Sequence, residues 1–245
     1  MRTESVVIIL ILLSIFTSGC TTNQTLESDG NKIITSFTEH QTLISDYSGT
    51  VSLSSDSMNR ISESYKIHVR YPDKYKVEYV GTSGHHEGTV SILNGSEFLE
   101  YDPLSNMTTL SEINPEGNSL TSRDYQGLLN RIIPVGNISY AGVEYRENHP
   151  FYIIEIRQEK LDTYFDLKYS EYRFSLARAW VDPDSWSVKR IELDDFGTAQ
   201  PIVTADYKDL LVNRGIPDDI FNPEQYKRGT IITPPTHPPR IFPDI

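Results

Sequence analysis

The chain reads as a mainly β protein with accessory helices, and three features of the sequence predict this. Apolar and polar residues alternate with period two over most of its length, the pattern of strands that bury one face and wet the other. Turn chemistry breaks the alternation at short intervals, as at Pro72-Asp73, Asn94-Gly95 and Pro183-Asp184. Helical spacing occurs in only two segments. About ten antiparallel strands with one apolar face need a cover. A closed barrel, a sandwich, or a curved open sheet with helices in its concavity would each supply one, and spacing alone does not separate them.

The first element is a targeting segment. Arg2 precedes the apolar run Val6 to Phe16, and small residues lead to Gly19-Cys20. The run is about eleven residues, short of the roughly 20 that span a bilayer, so residues 1–19 read as a signal peptide. The cysteine after small residues resembles the lipobox of bacterial and some archaeal lipoproteins, which makes Cys20 the expected lipidation site. A plain signal peptide and an uncleaved anchor are the alternatives; in every case the body is exported.

Residues 20–30 are polar and small, as a tether between anchor and body should be. From Asn31, Ile33, Ile34, Phe37 and Ile44 recur at helical spacing, predicting a helix that ends near Ser45. Strands then follow at Gly49–Leu53, Tyr65–Tyr71, Tyr75–Tyr79, Val90–Leu93, Glu97–Tyr101 and Met107–Leu110. In the second of these, Tyr65, Ile67, Val69 and Tyr71 alternate with Lys66, His68 and Arg70. The next repeats the pattern after Pro72-Asp73, which predicts a hairpin, and Asn94-Gly95 predicts another. Ser122 to Ile133 carries Tyr125, Leu128, Leu129 and Ile132 at helical spacing, closed by Pro134. Four more strands are expected at Phe151–Arg157, Phe174–Val181, Val188–Leu193 and Val203–Leu210. The segment 231–245, rich in proline, forms neither ladder nor helix. This leaves residues 31–230 as one domain.

Composition narrows the function. Without residues 1–19 roughly 225 residues remain, enough for a packed core. Cys20 is the only cysteine, so an exported body is held together by packing and not by disulfides. A net charge of −12 repels phosphate backbones and argues against nucleic-acid binding. Asn23, Asn94, Asn106 and Asn137 each open an N-glycosylation tripeptide.

Catalytic motifs are missing: there is no Gly-x-Ser-x-Gly, no His-Glu-x-x-His, no phosphate-binding glycine loop and no cysteine free to act as nucleophile. His85-His86-Glu87 sits among glycines and reads as a hairpin tip, since adjacent histidines on a strand point apart. Asp182-Pro183-Asp184 and Asp194-Asp195 lack the glycine and bidentate glutamate of a calcium loop and read as turn residues. No enzyme activity, metal or cofactor is expected.

Several phrases together carry a family resemblance. They are Tyr75 to Tyr79, Val90 to Gly95 followed by Phe98 to Pro103, Ala179 to Glu192, and Tyr207 to Phe221. In order and spacing, from about Gly49 to Gly229, they resemble the outer-membrane lipoprotein carrier superfamily, the LolA/LolB-like or lipoprotein-sorting proteins. The resemblance implies a curved antiparallel incomplete barrel whose concave apolar face is covered by helices and takes up acyl chains. It places Tyr65, Ile67, Val69, Tyr71, Tyr75, Val77, Tyr79, Phe98, Ile154, Ile156, Ala179 and Val181 on the inner face, and Leu128, Leu129 and Ile132 on the lid. The residues Gly215 to Phe221 themselves read as a turn that seats Phe221 against the sheet edge. The expected partners are lipid or lipoprotein acyl chains, the membrane through the anchor, and a protein of the cell envelope. Two readings follow: lipid or lipoprotein sorting or reception, and a surface sensor or protein-interaction module of the same fold.

Overall fold

The computed structural model describes residues 21–55, 61–82, 87–113, 123–158, 174–195 and 201–233. Cys20, the signal peptide, His85, His86 and the tail from 234 onward lie outside the described residues. Helix α1 spans Thr21–Thr42. Strands β1 (Asp46–Ser55), β2 (Ile61–Arg70), β3 (Lys74–Thr82), β4 (Val90–Asn94), β5 (Glu97–Asp102) and β6 (Met107–Glu112) follow, then helix α2 (Tyr125–Ile132). The second half holds β7 (Asn137–Arg146), β8 (His149–Arg157), β9 (Leu176–Val181), β10 (Val188–Asp194) and β11 (Val203–Val212). Two 3₁₀ turns (Asp218–Phe221 and Pro223–Tyr226) lead to β12 (Thr230–Ile232).

The strands form one open sheet in the order β12-β6-β5-β4-β3-β2-β1-β11-β10-β9-β8-β7. All neighbours are antiparallel except β12, which runs parallel to β6. Register shifts interrupt four ladders, β1/β11, β2/β3, β9/β10 and β7/β8. Each inserted residue bends its strand and adds twist, so the sheet coils and one face becomes concave. That face packs as a single cluster running from Leu93 on β4 through β3, β2, β1, β11, β10 and β9 to Ile154 and Ile156 on β8, joined by Phe37 of α1 and Leu129 and Ile132 of α2. The sheet does not close, and of the three architectures compatible with the spacing it is the curved open one.

Four differences from expectation have physical causes. The segment 21–30, read as a linker, is helical; no proline interrupts it, and it continues the helix that packs through Phe37. The helix also stops at Thr42 and not near Ser45, leaving Leu43 exposed while Ile44 packs on the core. β7 follows α2 directly, and its apolar residues change parity at the shift between Tyr140 and Gly142. At Asn94-Gly95 the pairing Asn94↔Glu97 makes Gly95 and Ser96 the loop, with Gly95 at φ +64°.

The C-terminal turns pack on β3, β4 and β5. Phe221, fully buried, lies under the Arg70 guanidinium, 5.5 Å from its ring centre. It therefore seats on interior strands and not on the sheet edge, since Ile92 and Leu99, buried outside the concave cluster, need a cover there. Among the described residues no helix is long and apolar enough to cross a membrane.

Candidate ligand-binding interior

The fifteen positions assigned to the interior come together. Tyr65, Ile67, Val69, Tyr75, Val77, Tyr79, Ile154, Ile156, Ala179, Val181, Leu128, Leu129 and Ile132 belong to the buried cluster, and Tyr71 and Phe98 pack against it half-buried. Sequence reasoning missed Tyr47, Val51, Ile191, Val203, Ala205 and Tyr207 of the same floor. The alternation of β1, β10 and β11 would have found most of them.

Tyrosines tile this floor. Ring centres lie 6.5 Å apart for Tyr47 and Tyr71, 6.5 Å for Tyr47 and Tyr207, 6.4 Å for Tyr71 and Tyr75, and 6.0 Å for Tyr65 and Tyr79. Such tilted and edge-on contacts are favourable beyond area burial.

Asp124 joins the lid helix to the floor. Its carboxylate caps α2 by accepting the Gly127 N–H at 2.7 Å. It also accepts the Tyr47 hydroxyl at 2.7 Å and the Tyr71 hydroxyl at 2.9 Å. Burial pushes its pKa up, against the opposing pull of the Gly127 N–H, Tyr47 and Tyr71. Burial, and then the Asp124 charge, hold the Tyr47 and Tyr71 hydroxyls well above 10, so both remain donors. Gly127 is required by close approach, because a Cβ there would overlap the Asp124 carboxylate and crowd the Tyr71 hydroxyl. Beside this latch, Arg123 pairs with buried Glu63 of β2 at 3.4 Å and lies 5.8 Å from the Tyr79 ring centre. The Tyr65 hydroxyl donates to the Arg123 carbonyl at 3.3 Å.

At the rim, between the end of α1, α2, the β9–β10 turn and the end of β11, lies a cleft of about 230 Å³ lined by His40, Gln41, Leu43, Ile44, Gln126, Ser185, Trp186, Ser187, Val188, Val212 and Asn213. Its frame is tied down: the Asn213 amide accepts from Ser45 N–H at 2.8 Å and donates to the Leu43 carbonyl at 3.0 Å. Buried Asp46 accepts the N–H groups of Arg214 and Gly215 at 3.0 and 3.1 Å.

Near that turn His149, Asp182 and Asp184 bring three donor atoms within 4.8 Å of one another. Asp182 caps its own turn by accepting Asp184 N–H at 2.9 Å and Ser185 N–H at 3.0 Å, as a turn residue should, while its second oxygen lies 3.3 Å from His149. Burial works against its charge, but the Ser185 and Asp184 N–H bonds and His149 hold its pKa below the usual value. With one carboxylate engaged this way, the trio falls short of the four ligands of a closed site. Of the glycosylation tripeptides, Asn106 and Asn137 are exposed, Asn94 is half-buried, and Asn23 falls in the first turn of α1.

No protein-family model matches the sequence, and no curated protein does. Solved structures similar to the chain include an uncharacterized conserved protein from Thermus thermophilus, with 11% identity, TM-score 0.47, 83% of this chain and 98% of that one covered. The lipoprotein LppX of Mycobacterium tuberculosis matches with 14% identity, TM-score 0.45, and 76% and 98% covered. A putative outer membrane lipoprotein-sorting protein domain from Vibrio parahaemolyticus matches with 13% identity, TM-score 0.42, and 82% and 99% covered.

Proposed function

We propose that this chain is an exported, membrane-anchored lipoprotein, not a catalyst, that takes up lipid or the acyl chains of lipoproteins between α2 and the concave sheet, in lipid or lipoprotein sorting or reception. One observation carries the reading: the apolar floor packs against an eight-residue helix held at its N-terminus by a polar latch. So short a helix has little stability of its own, and its order comes from docking. An acyl chain entering beneath it would replace one apolar contact by another, each buried methylene contributing about 0.8 kcal/mol. The exchange is therefore close to balanced, as reversible loading requires.

The anchor fits this reading. α1 begins directly after Cys20, and Gly30 lies against the Tyr140 ring. At 1.5 Å per residue the helix sets its Gly30 contact roughly 15 Å from the acylated cysteine and the rim cleft at its far end roughly 30 Å away. The second reading, a protein-interaction module, draws on β7, a ten-residue edge strand bearing exposed Val143 and Tyr145.

The test is native mass spectrometry of the full chain purified after export in a lipid-containing host. A discrete added mass that disappears on organic extraction is the expected result. A bare polypeptide mass, with no uptake of a fluorescent fatty acid, overturns the lipid reading and leaves the β7 edge as the feature to pursue.

A further inference from the structure

We infer that the rim cleft is a headgroup site for a neutral vicinal diol, the head of an acylglycerol or a sugar, and that it selects neutral amphiphiles over anionic ones. The inference rests on the acyl-binding reading above and adds the class of ligand.

Two buried glutamines carry the argument. Gln41 and Gln126, each 1% exposed, line the cleft from α1 and α2. Among the described residues neither the Oε1 nor the Nε2 of Gln126 has a hydrogen-bond partner, so the orphaning does not depend on how the amide is oriented. The Gln41 amide nitrogen lies 3.5 Å from the Trp186 carbonyl, and among the described residues its Oε1 has no donor. Most buried polar atoms in folded proteins are satisfied, and an exception that lines a cleft is open to a partner from outside the chain. The cleft therefore presents two acceptors that lack donors and one donor that lacks an acceptor.

A vicinal diol answers that set. Each hydroxyl donates once and accepts as well, so two hydroxyls can meet both glutamine oxygens while one also accepts from Gln126 Nε2. A carboxylate or phosphate oxygen only accepts and would leave both glutamine oxygens unmet. It would also meet no cation, because no lysine or arginine lines the cleft and the chain carries a net charge of −12. The single titratable lining residue, His40, is turned to structure: its Nδ1 lies 2.7 Å from the Ser36 carbonyl, and its ring stacks on Trp186 at 5.3 Å. Trp186 adopts φ +55°, a conformation that bulky residues rarely hold without a reason in the surrounding structure. There its carbonyl reaches Gln41 and its ring forms the wall between the cleft and Tyr152, 5.8 Å away.

The experiment compares binding of 1-monooleoylglycerol, oleate and free glycerol to the full exported chain, with the Gln41→Met/Gln126→Met double variant and the single Gln126→Met variant alongside. The expected result is that monooleoylglycerol binds about tenfold more tightly than oleate. In the double variant that preference falls to near parity with oleate affinity unchanged, and in the single variant it falls partway. Equal affinities in the wild type, or a preference that survives both substitutions, overturn the headgroup site while leaving the acyl reading intact. Glycerol that shifts the two glutamine side-chain amide resonances while neither amphiphile binds keeps the diol site and overturns the acyl reading. Absence of any binding overturns both. Methionine is close to glutamine in shape and removes orphaned polar atoms, so the variants are expected to melt at or above the wild-type temperature.

Discussion

A carboxylate as deeply buried as Asp124 stands only because three donors converge on it, and this makes the latch testable atom by atom. Asp124→Ala removes the helix cap and strands the Gly127 N–H with two tyrosine hydroxyls, a loss of about 2 kcal/mol or more in urea unfolding. Asp124→Asn keeps an acceptor and isolates the charge. Burial raises the folded-state pKa of Asp124 above its ordinary 3.8, so the folded protein holds this proton more tightly than the unfolded chain does. The contribution is fully present below 3.8 and is lost as pH rises toward the raised value. The wild type is therefore expected to lose stability relative to Asp124→Asn as pH climbs through that window; parallel pH profiles would refute the assignment. Taking the difference cancels the carboxylates with lowered values, such as Glu144, held down by Trp180 and Arg146, and Asp218, held down by Lys74 and Arg70. Gly127→Ala gives a second check. Alanine favours a helix by about 1 kcal/mol over glycine, yet here it is expected to destabilise because its Cβ displaces the latch. In an Asp124→Ala background, where only the Tyr71 hydroxyl still crowds the Cβ, the penalty of the same change should shrink.

Strands announced themselves in the sequence wherever one face is buried and the ladder is regular. β2 and β3 are the clearest case, their buried Tyr65, Ile67, Val69, Tyr75, Val77 and Tyr79 all lying at alternate positions. The elements that escaped are those whose pattern the tertiary structure breaks. β7 carries Ile138 and Tyr140 before its bulge and Val143 and Tyr145 after it, at positions of opposite parity, β1 begins at Asp46 ahead of the expected Gly49, which lies at a bulge, and β12 has three exposed residues and no pattern to read. On the outer face, sequence pairs charged residues without saying which meet. The structure makes Arg178 of β9 a hub, hydrogen-bonded to Glu155 of β8 at 2.9 Å and ion-paired with Asp194 of β10 at 3.0 Å and Glu192 at 3.6 Å. Because the hub is partly exposed, Arg178→Met should cost about 1 kcal/mol or less at low ionic strength. The cost should shrink at about 1 M salt, where the screening length is only ~3 Å. A difference in melting temperature that does not respond to salt would mean that Arg178 acts through packing of its alkyl stem.

For the molecule as a whole, the interior was legible as a set of apolar positions, whereas the polar groups that control access to it were not. Nothing in the spacing of Tyr47, Tyr71 and Asp124 shows that residues so far apart in the chain meet at one carboxylate, since that meeting depends on how far the sheet coils. The same holds for Gln41 and Gln126, which read in sequence as ordinary polar helix residues. These hidden groups set the energy of lifting α2, and hence the rate of entry if ligand passes beneath it. Tyr71→Phe removes one hydroxyl from Asp124 while keeping the half-buried ring on the floor, and should cost about 1 kcal/mol. If lifting α2 precedes entry, the population with the helix raised grows by roughly fivefold for that loss, and stopped-flow uptake of a fluorescent fatty acid speeds up in proportion. An uptake rate unchanged by Tyr71→Phe, in a protein shown by unfolding to have lost that stability, would exclude α2 as the gate and turn attention to the open edge at β7.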